Sequence, residues 1–217
     1  MTEPFIGSEA LAAGSLTRYQ LGRYYRQLAP NVYADKWIEL SRQERARAAW
    51  LWSDRRGVIA GSAASALHGA LWVPKDAPIE LISTKIRPPN GVITRQDLIF
   101  DDEIGCIDGL PVTSIERTGF DQGRRGLLGA AVARLDALAR ATGLKADDVL
   151  AVAAQHPHTR GLRQLERALA LLDPGSQSPK ETWLRLMAIG AQAIRLRRLR
   201  SPCSVTRAIT WIWGGRN

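Results

Sequence analysis

Apolar residues recur along this chain with two different spacings, and the places where the spacing changes mark its elements. In SEALAAGSLTRYQLGRYY, from residue 8, helical spacing predominates. Ser8 is predicted as an N-cap, Gly14-Ser15 as a turn, and a second helix starts near Thr17, with Leu16, Leu21 and Tyr24 facing inward. YRQLAPNVYAD then reads as a short hairpin around Pro30-Asn31. Helix, turn, helix, hairpin is the order of a winged helix-turn-helix. Residues 41–56 predict a strong helix, with Ser41 and Glu44 as a capping box and Ala48, Leu51 and Trp52 as its apolar stripe. Arg55-Arg56 would end that helix, where cations suit the macrodipole.

The middle of the chain mixes both spacings. GSAASALHGALW predicts a short helix of small residues packed close to a sheet, and PIELIST, GVITRQD and IGCIDGLPVTS predict strands. Helical patterns then follow one another. A helix is expected from Thr113, with Glu116 completing a capping box, and further helices in GLLGAAVARLDALARAT, KADDVLAVAAQH and TRGLRQLERALALLD. DPGSQSP reads as a linker. SPKETWLRLMAIGA opens a last helix, with Ser178 as N-cap and Pro179 in the first turn. That helix is expected to dissolve after Ala191. Its apolar face of Trp183, Leu184, Leu186 and Met187 would then lack the sheet it should cover.

The fold class expected is α+β. A winged helix-turn-helix would occupy residues 1–56, a small mixed α/β domain 57–125, a helical segment 126–173, the first helix of a further unit 178–191, and a disordered tail 192–217.

Charge changes this picture in one place. The formal net charge is +9, which points toward nucleic acid. Six of those charges (Arg195, Arg197, Arg198, Arg200, Arg207 and Arg216) lie in the last 27 residues, which hold no acid. No apolar run approaches the ~18 residues of a bilayer span. The N-terminus has no basic leader, and Cys106 and Cys203 make no disulfide framework, so a cytoplasmic protein without a membrane partner is expected.

The tail also yields to a coding argument. Tryptophan has one codon, TGG, and isoleucine always begins AT. Shifting the frame by one base turns Trp211-Ile212 into Asp and Trp213-Gly214 into Gly, and permits LDMGWPE in place of TWIWGGRN. The preceding RSPCSVTRAIT permits a strand-like QIPVLGDPGYY. Residues 192–217 are therefore read as out of frame.

SPKETWLRLMAIGA, continued by that shifted frame, resembles the start of a very-short-patch-repair-like endonuclease domain, a compact relative of the PD-(D/E)xK nucleases. The resemblance implies a restriction-endonuclease-like fold in which clustered carboxylates hold Mg²⁺ against a scissile phosphate. Of that set only Glu181 stands in this chain, where its place three residues after Ser178 also makes it a capping acid. The resemblance therefore implies a remnant without catalysis or bound metal, with Mg²⁺ expected only of an intact domain. Residues 8–125 resemble the AbiEi-like antitoxins of abortive-infection toxin–antitoxin systems, through LTRYQLGRYYRQLAPNVYAD, GSAASALHGALW and LPVTSIERTGFDQGRR. That resemblance implies a DNA-binding winged helix and a toxin partner. The fusion of both parts resembles an actinobacterial group.

Thr17, Arg18, Tyr19, Gln20 and Arg23 would lie at the start of the recognition helix, where Arg reads guanine and Gln reads adenine. Arg26 and Lys36 flank the wing and would touch phosphates. Elsewhere the chemistry is sparse. GSAASALHG is similar to the Gly-Ser start of nucleotidyltransferases, yet Glu80 stands alone where those need paired acids. His68 reads as a packed or capping histidine, and His156 and His158 lack a third zinc ligand. Neither cysteine has a His and acid in evident spacing, and no phosphate-cradling loop is present. The sequence thus points to a DNA-binding, antitoxin- or repressor-like protein, with two alternatives. One is an endonuclease intact only in a restored frame, and the other is a toxin-binding module using the helices at 126–172.

Overall fold

The structure, a computed structural model, describes residues 3–200. Its first element is a three-stranded antiparallel sheet with two small helices. β1 (Phe5–Ile6), α1 (Gly7–Ala12) and α2 (Arg18–Tyr24) precede the hairpin β2 (Tyr25–Ala29) and β3 (Val32–Asp35), and the strand order is β1-β3-β2. The hairpin lies where the Pro30-Asn31 signal predicts it.

The cap of α1 differs from expectation. The helix starts at Gly7, one residue before Ser8. Its first donors are met from the hairpin turn: Gly7 N–H donates to the Asn31 carbonyl at 2.8 Å, and Ser8 N–H to Asn31 Oδ1 at 3.0 Å. Asn31 Nδ2 donates back to Ser8 Oγ at 2.8 Å. Asn31 reaches this position because its backbone is left-handed, φ 64°. Gly7 permits the packing, since a Cβ there would come within 2.6 Å of the Tyr33 ring. Tyr24, expected inside, is 51 % exposed, while Leu21 is buried.

α3 (Arg42–Trp52) carries the Ser41/Glu44 capping box and buries Ala48, Leu51 and Trp52 as the pattern predicts. It ends four residues early, because Asp54 and Arg55 take left-handed φ values of 59° and 62°. Arg55 therefore leaves the helix axis and grips Glu9 with two bonds of 2.7 Å. Its role is a link to α1 rather than a charge on the macrodipole of α3.

α3 is the wall shared by two sheets. The second sheet contains β4 (Val58–Ala60), β5 (Ile79–Ile82), β6 (Val92–Arg95), β7 (Ile104–Ile107) and β8 (Leu110–Thr113), in the order β6-β5-β4-β8-β7. β4 lies at its centre, antiparallel to β5 and parallel to β8. α4 (Gly61–Leu67) follows β4 directly. One apolar core joins Ala29 and Val32 of the hairpin, Ala46, Ala49 and Trp52 of α3, and Ile59, Leu81, Leu110 and Val112 of this sheet. Burying each large aliphatic side chain there contributes about 1.5–3 kcal/mol.

A second core lies among helices. α5 (Ile115–Gly123) starts at Ser114, which accepts from Arg117 N–H at 3.1 Å. Thr113 is instead the last residue of β8, and Glu116 completes no capping box. α6 (Leu128–Thr142) packs against α5, against α8 (Leu162–Leu169) and against α9 (Pro179–Arg200), while α7 (Ala146–Gln155) covers α5. Phe120, Val132, Leu135, Leu138 and Leu165 fill the centre. Gly123 allows α8 to approach, since a Cβ there would lie 2.4 Å from Leu165.

Two further expectations change at the C-terminal side. DPGSQSP is pinned rather than loose: Asp173 N–H donates to Asp136 Oδ1 at 2.8 Å, and Ser176 is buried. α9 does not dissolve at Ala191 but runs to Arg200, since nothing in QAIRLRRLR breaks a helix and both arginine and leucine favour one. The side chains from residue 192 onward, and all of residues 201–217, where the frame-shifted reading and the disordered tail fall, lie outside the described residues. Among the described residues the class is α+β, with two small sheets, and no helix is long and apolar enough to cross a membrane.

Candidate nucleic-acid interface

The short helix α2 is built by its own first turn. Thr17 and Gln20 form a reciprocal capping box. Gln20 N–H donates to Thr17 Oγ1 at 3.2 Å, while Thr17 N–H and O–H donate to Gln20 Oε1 at 2.8 and 3.1 Å. Both side chains are exposed but held by each other. Arg18, Tyr19 and Arg23 are exposed on the same helix, Tyr19 by 73 %, and make no side-chain hydrogen bond among the described residues. Gly22 lies between them, and a Cβ on it would meet nothing within 4 Å. The helix thus presents two guanidinium groups and a phenol around bare backbone.

Lys36 and Arg26 are engaged at the base of the hairpin. Lys36 Nζ donates to the carbonyls of Gly22 and Arg23, at 2.7 and 3.0 Å, and so caps the C-terminus of α2. Arg26 donates to the Ile38 carbonyl at 3.0 Å. Both remain exposed at their outer edges. The hairpin tip itself is turned against α1 by Asn31. Two exposed aromatics belong to this region: Trp37, 86 % exposed, which sequence reasoning missed and which follows Lys36 directly, and Tyr24, the last residue of α2, which was expected inside. Trp37 sits in a tight turn, its N–H donating to Asp35 Oδ1 at 2.8 Å. No local signal marks Trp37, since its exposure depends on how the chain turns after β3.

Other charged residues are gathered inside the molecule. Arg117, 1 % exposed, donates to Glu103 at 2.6 Å and to Asp121 at 3.1 Å. His156 Nε2 lies 2.7 Å from the other oxygen of Glu103, while His158 is exposed. Arg124 bonds Asp121 and Asp97 at 2.7 and 2.8 Å, and Arg125 bonds Asp97 and reaches Asp121 at 3.1 Å. Burial is the largest influence on Arg125 and Arg134, and pulls both guanidinium pKa values below their ordinary level. His68 Nε2 lies 2.8 Å from the Thr113 carbonyl and so donates to it, packing α4 onto β8.

Glu181 is a capping acid in the structure. It accepts from Gln177 N–H at 2.8 Å and from Ser178 O–H at 3.2 Å, and its own N–H donates to Ser178 Oγ at 3.3 Å. Among the described residues no group of three or more His, Cys, Asp or Glu is placed to hold a metal ion. α9 is docked by Thr182 and Arg185, which donate to Asp136 Oδ2 at 2.7 and 2.8 Å. Leu186 packs into the second core, whereas Trp183, Leu184 and Met187 stay exposed as the sequence predicts.

No family model matches the chain, and no curated protein matches it. Among solved structures it is similar to the crystal structure of RV2827C protein from Mycobacterium tuberculosis, at 14% identity and a TM-score of 0.49, over 83% of this chain and 74% of that one.

Proposed function

We propose that this protein binds double-stranded DNA through α2, as an antitoxin- or repressor-like protein. The observation that carries this reading is the set of exposed, unpaired Arg18, Tyr19 and Arg23 on a helix held by its own capping box and by Lys36. The element order from β1 to β3 supports treating this region as a winged helix with α2 as its recognition helix. In that role Arg18 and Arg23 reach guanine edges or phosphates, and Gly22 lets the backbone come close to the duplex. Thr17 and Gln20 hold the first turn of α2, and their outer edges contact bases or phosphates. Arg26 and Lys36 lie beside them for phosphate contact. An antitoxin-like role adds a toxin as protein partner, for which the exposed Trp183, Leu184 and Met187 offer an apolar face. The cytoplasm is the compartment this role requires. In this reading the segment from Ser178 takes no catalytic part, and Glu181 serves as a capping acid.

The test is duplex binding as a function of salt. Affinity is expected to fall steeply from ~50 to ~200 mM salt, as phosphate contacts require. An Arg18→Ala/Arg23→Ala variant should bind at least ~10-fold more weakly, with a salt slope lower by about 1–2, while its stability stays within about 0.5 kcal/mol. Binding that ignores salt, or that survives the double substitution, removes the reading.

A further inference from the structure

Between α6, the loop after α4 and the start of α9 lies a slot of about 210 Å³. Ala133, Ala137 and Ala141 of α6 recur every four residues and give it a flat apolar wall. Facing this wall is Trp72. Its backbone is left-handed, φ 65°, a conformation that costs a residue with a side chain about 1–3 kcal/mol. Its indole is nonetheless 62 % exposed, and Nε1–H donates to the Gln177 carbonyl at 3.0 Å. Strain that leaves a large ring half in water, tethered across a cavity, contributes little to the core and is characteristic of ligand clamps.

Two polar groups complete the slot. Ser176 is 8 % exposed and lines the cavity, and its hydroxyl bonds no other described residue, so it is open to a ligand or to water. Arg140 is exposed at the mouth with no acidic partner among them. Asp136, the other charged residue of the lining, is already met by Thr182, Arg185 and Asp173 N–H. The groups left free to meet a ligand are therefore one cation and one hydroxyl beside a flat apolar gap. A dry cavity of about 150 Å³ accepts benzene, so this slot has room for a substituted ring or a fused bicycle.

We propose that the slot binds a small planar aromatic acid. The ring lies between Trp72 and the alanine wall, Arg140 pairs with the carboxylate, and the Ser176 hydroxyl takes a second polar atom. The slot shares no lining residue with α2 or the hairpin.

2-Naphthoate and the neutral 2-naphthamide, titrated into the full chain, test this by NMR of the indole Nε1–H signals, with the Trp72 signal assigned through Trp72→Phe. The Trp72 signal should move saturably with the acid and about 10-fold more weakly with the amide, as one charge-assisted pair implies. Arg140→Gln should remove that preference, and Ala137→Leu, which fills the slot, should abolish the shift. Arg140 is exposed, so its variant keeps the test decisive should Ala137→Leu not fold. No saturable movement, equal response to acid and amide, or indifference to Arg140→Gln overturns the proposal.

Discussion

Arginine serves two opposite purposes in this molecule. On α2, Arg18 and Arg23 are exposed and unpaired, on a helix of seven residues whose only structural demands are its caps. In α5 and the loop after it, Arg117, Arg124 and Arg125 lie against Glu103, Asp97 and Asp121, with side chains between 1 % and 22 % exposed. The chemistry of the side chain is the same. What differs is whether an acid from a distant segment reaches it. A buried guanidinium with its carboxylates removed is an uncompensated charge, so this group ties α5 to the turn before β7 and to the end of α7. An exposed guanidinium costs the fold almost nothing and stays available to a partner. The net charge of +9 therefore says less about binding than the pairing of each charge does.

The largest test of this contrast lies inside. Arg117→Met should lower stability to urea by about 3–5 kcal/mol, because Glu103 and Asp121 lose their shared cation while buried. A loss no larger than that of a surface substitution would erase the distinction between the two groups. Lys36 tests the border between them. Lys36→Met should cost about 0.3–1 kcal/mol through the exposed carbonyls at the end of α2, and should also weaken DNA binding, whereas Arg23→Gln should weaken binding alone. The smallest effect belongs to Glu9. Its bond to Arg55 holds its carboxyl below the ordinary 4.5. The folded state thus binds protons less readily than the unfolded one. The stabilisation is full above 4.5 and fades as pH falls through the depressed value. An acid titration of stability should show this fade in the natural protein and lose it in Arg55→Gln.

Much of the fold was legible because it depends on neighbours in sequence. The Ser41/Glu44 box, the stripe of Ala48, Leu51 and Trp52, the Pro30-Asn31 hairpin and the Ser178/Glu181 cap each need only three or four adjacent residues. The misreadings share the opposite property. β4 is three buried residues, Val58-Ile59-Ala60, too short to show any period, yet it is the middle strand because α3, β5 and β8 all pack against it. Ser8 resembles an N-cap locally, but Asn31, 23 residues away, sets where α1 begins. Of the interface, Arg18, Tyr19 and Arg23 could be singled out from a helical pattern. Trp37 could not, because its exposure depends on how the chain turns after β3.

By itself the sequence determined where most helices and turns form and which residues lead them, since caps, periods and breakers act over a single turn of backbone. Only the tertiary structure decided which charges are satisfied. Arg55 finds Glu9, Lys36 finds the end of α2, and Asp136 finds Thr182 and Arg185, each across 13 to 49 residues. Electrostatic partners are set by distance in space and by the water excluded between them, and neither quantity is written in the spacing of residues along a chain.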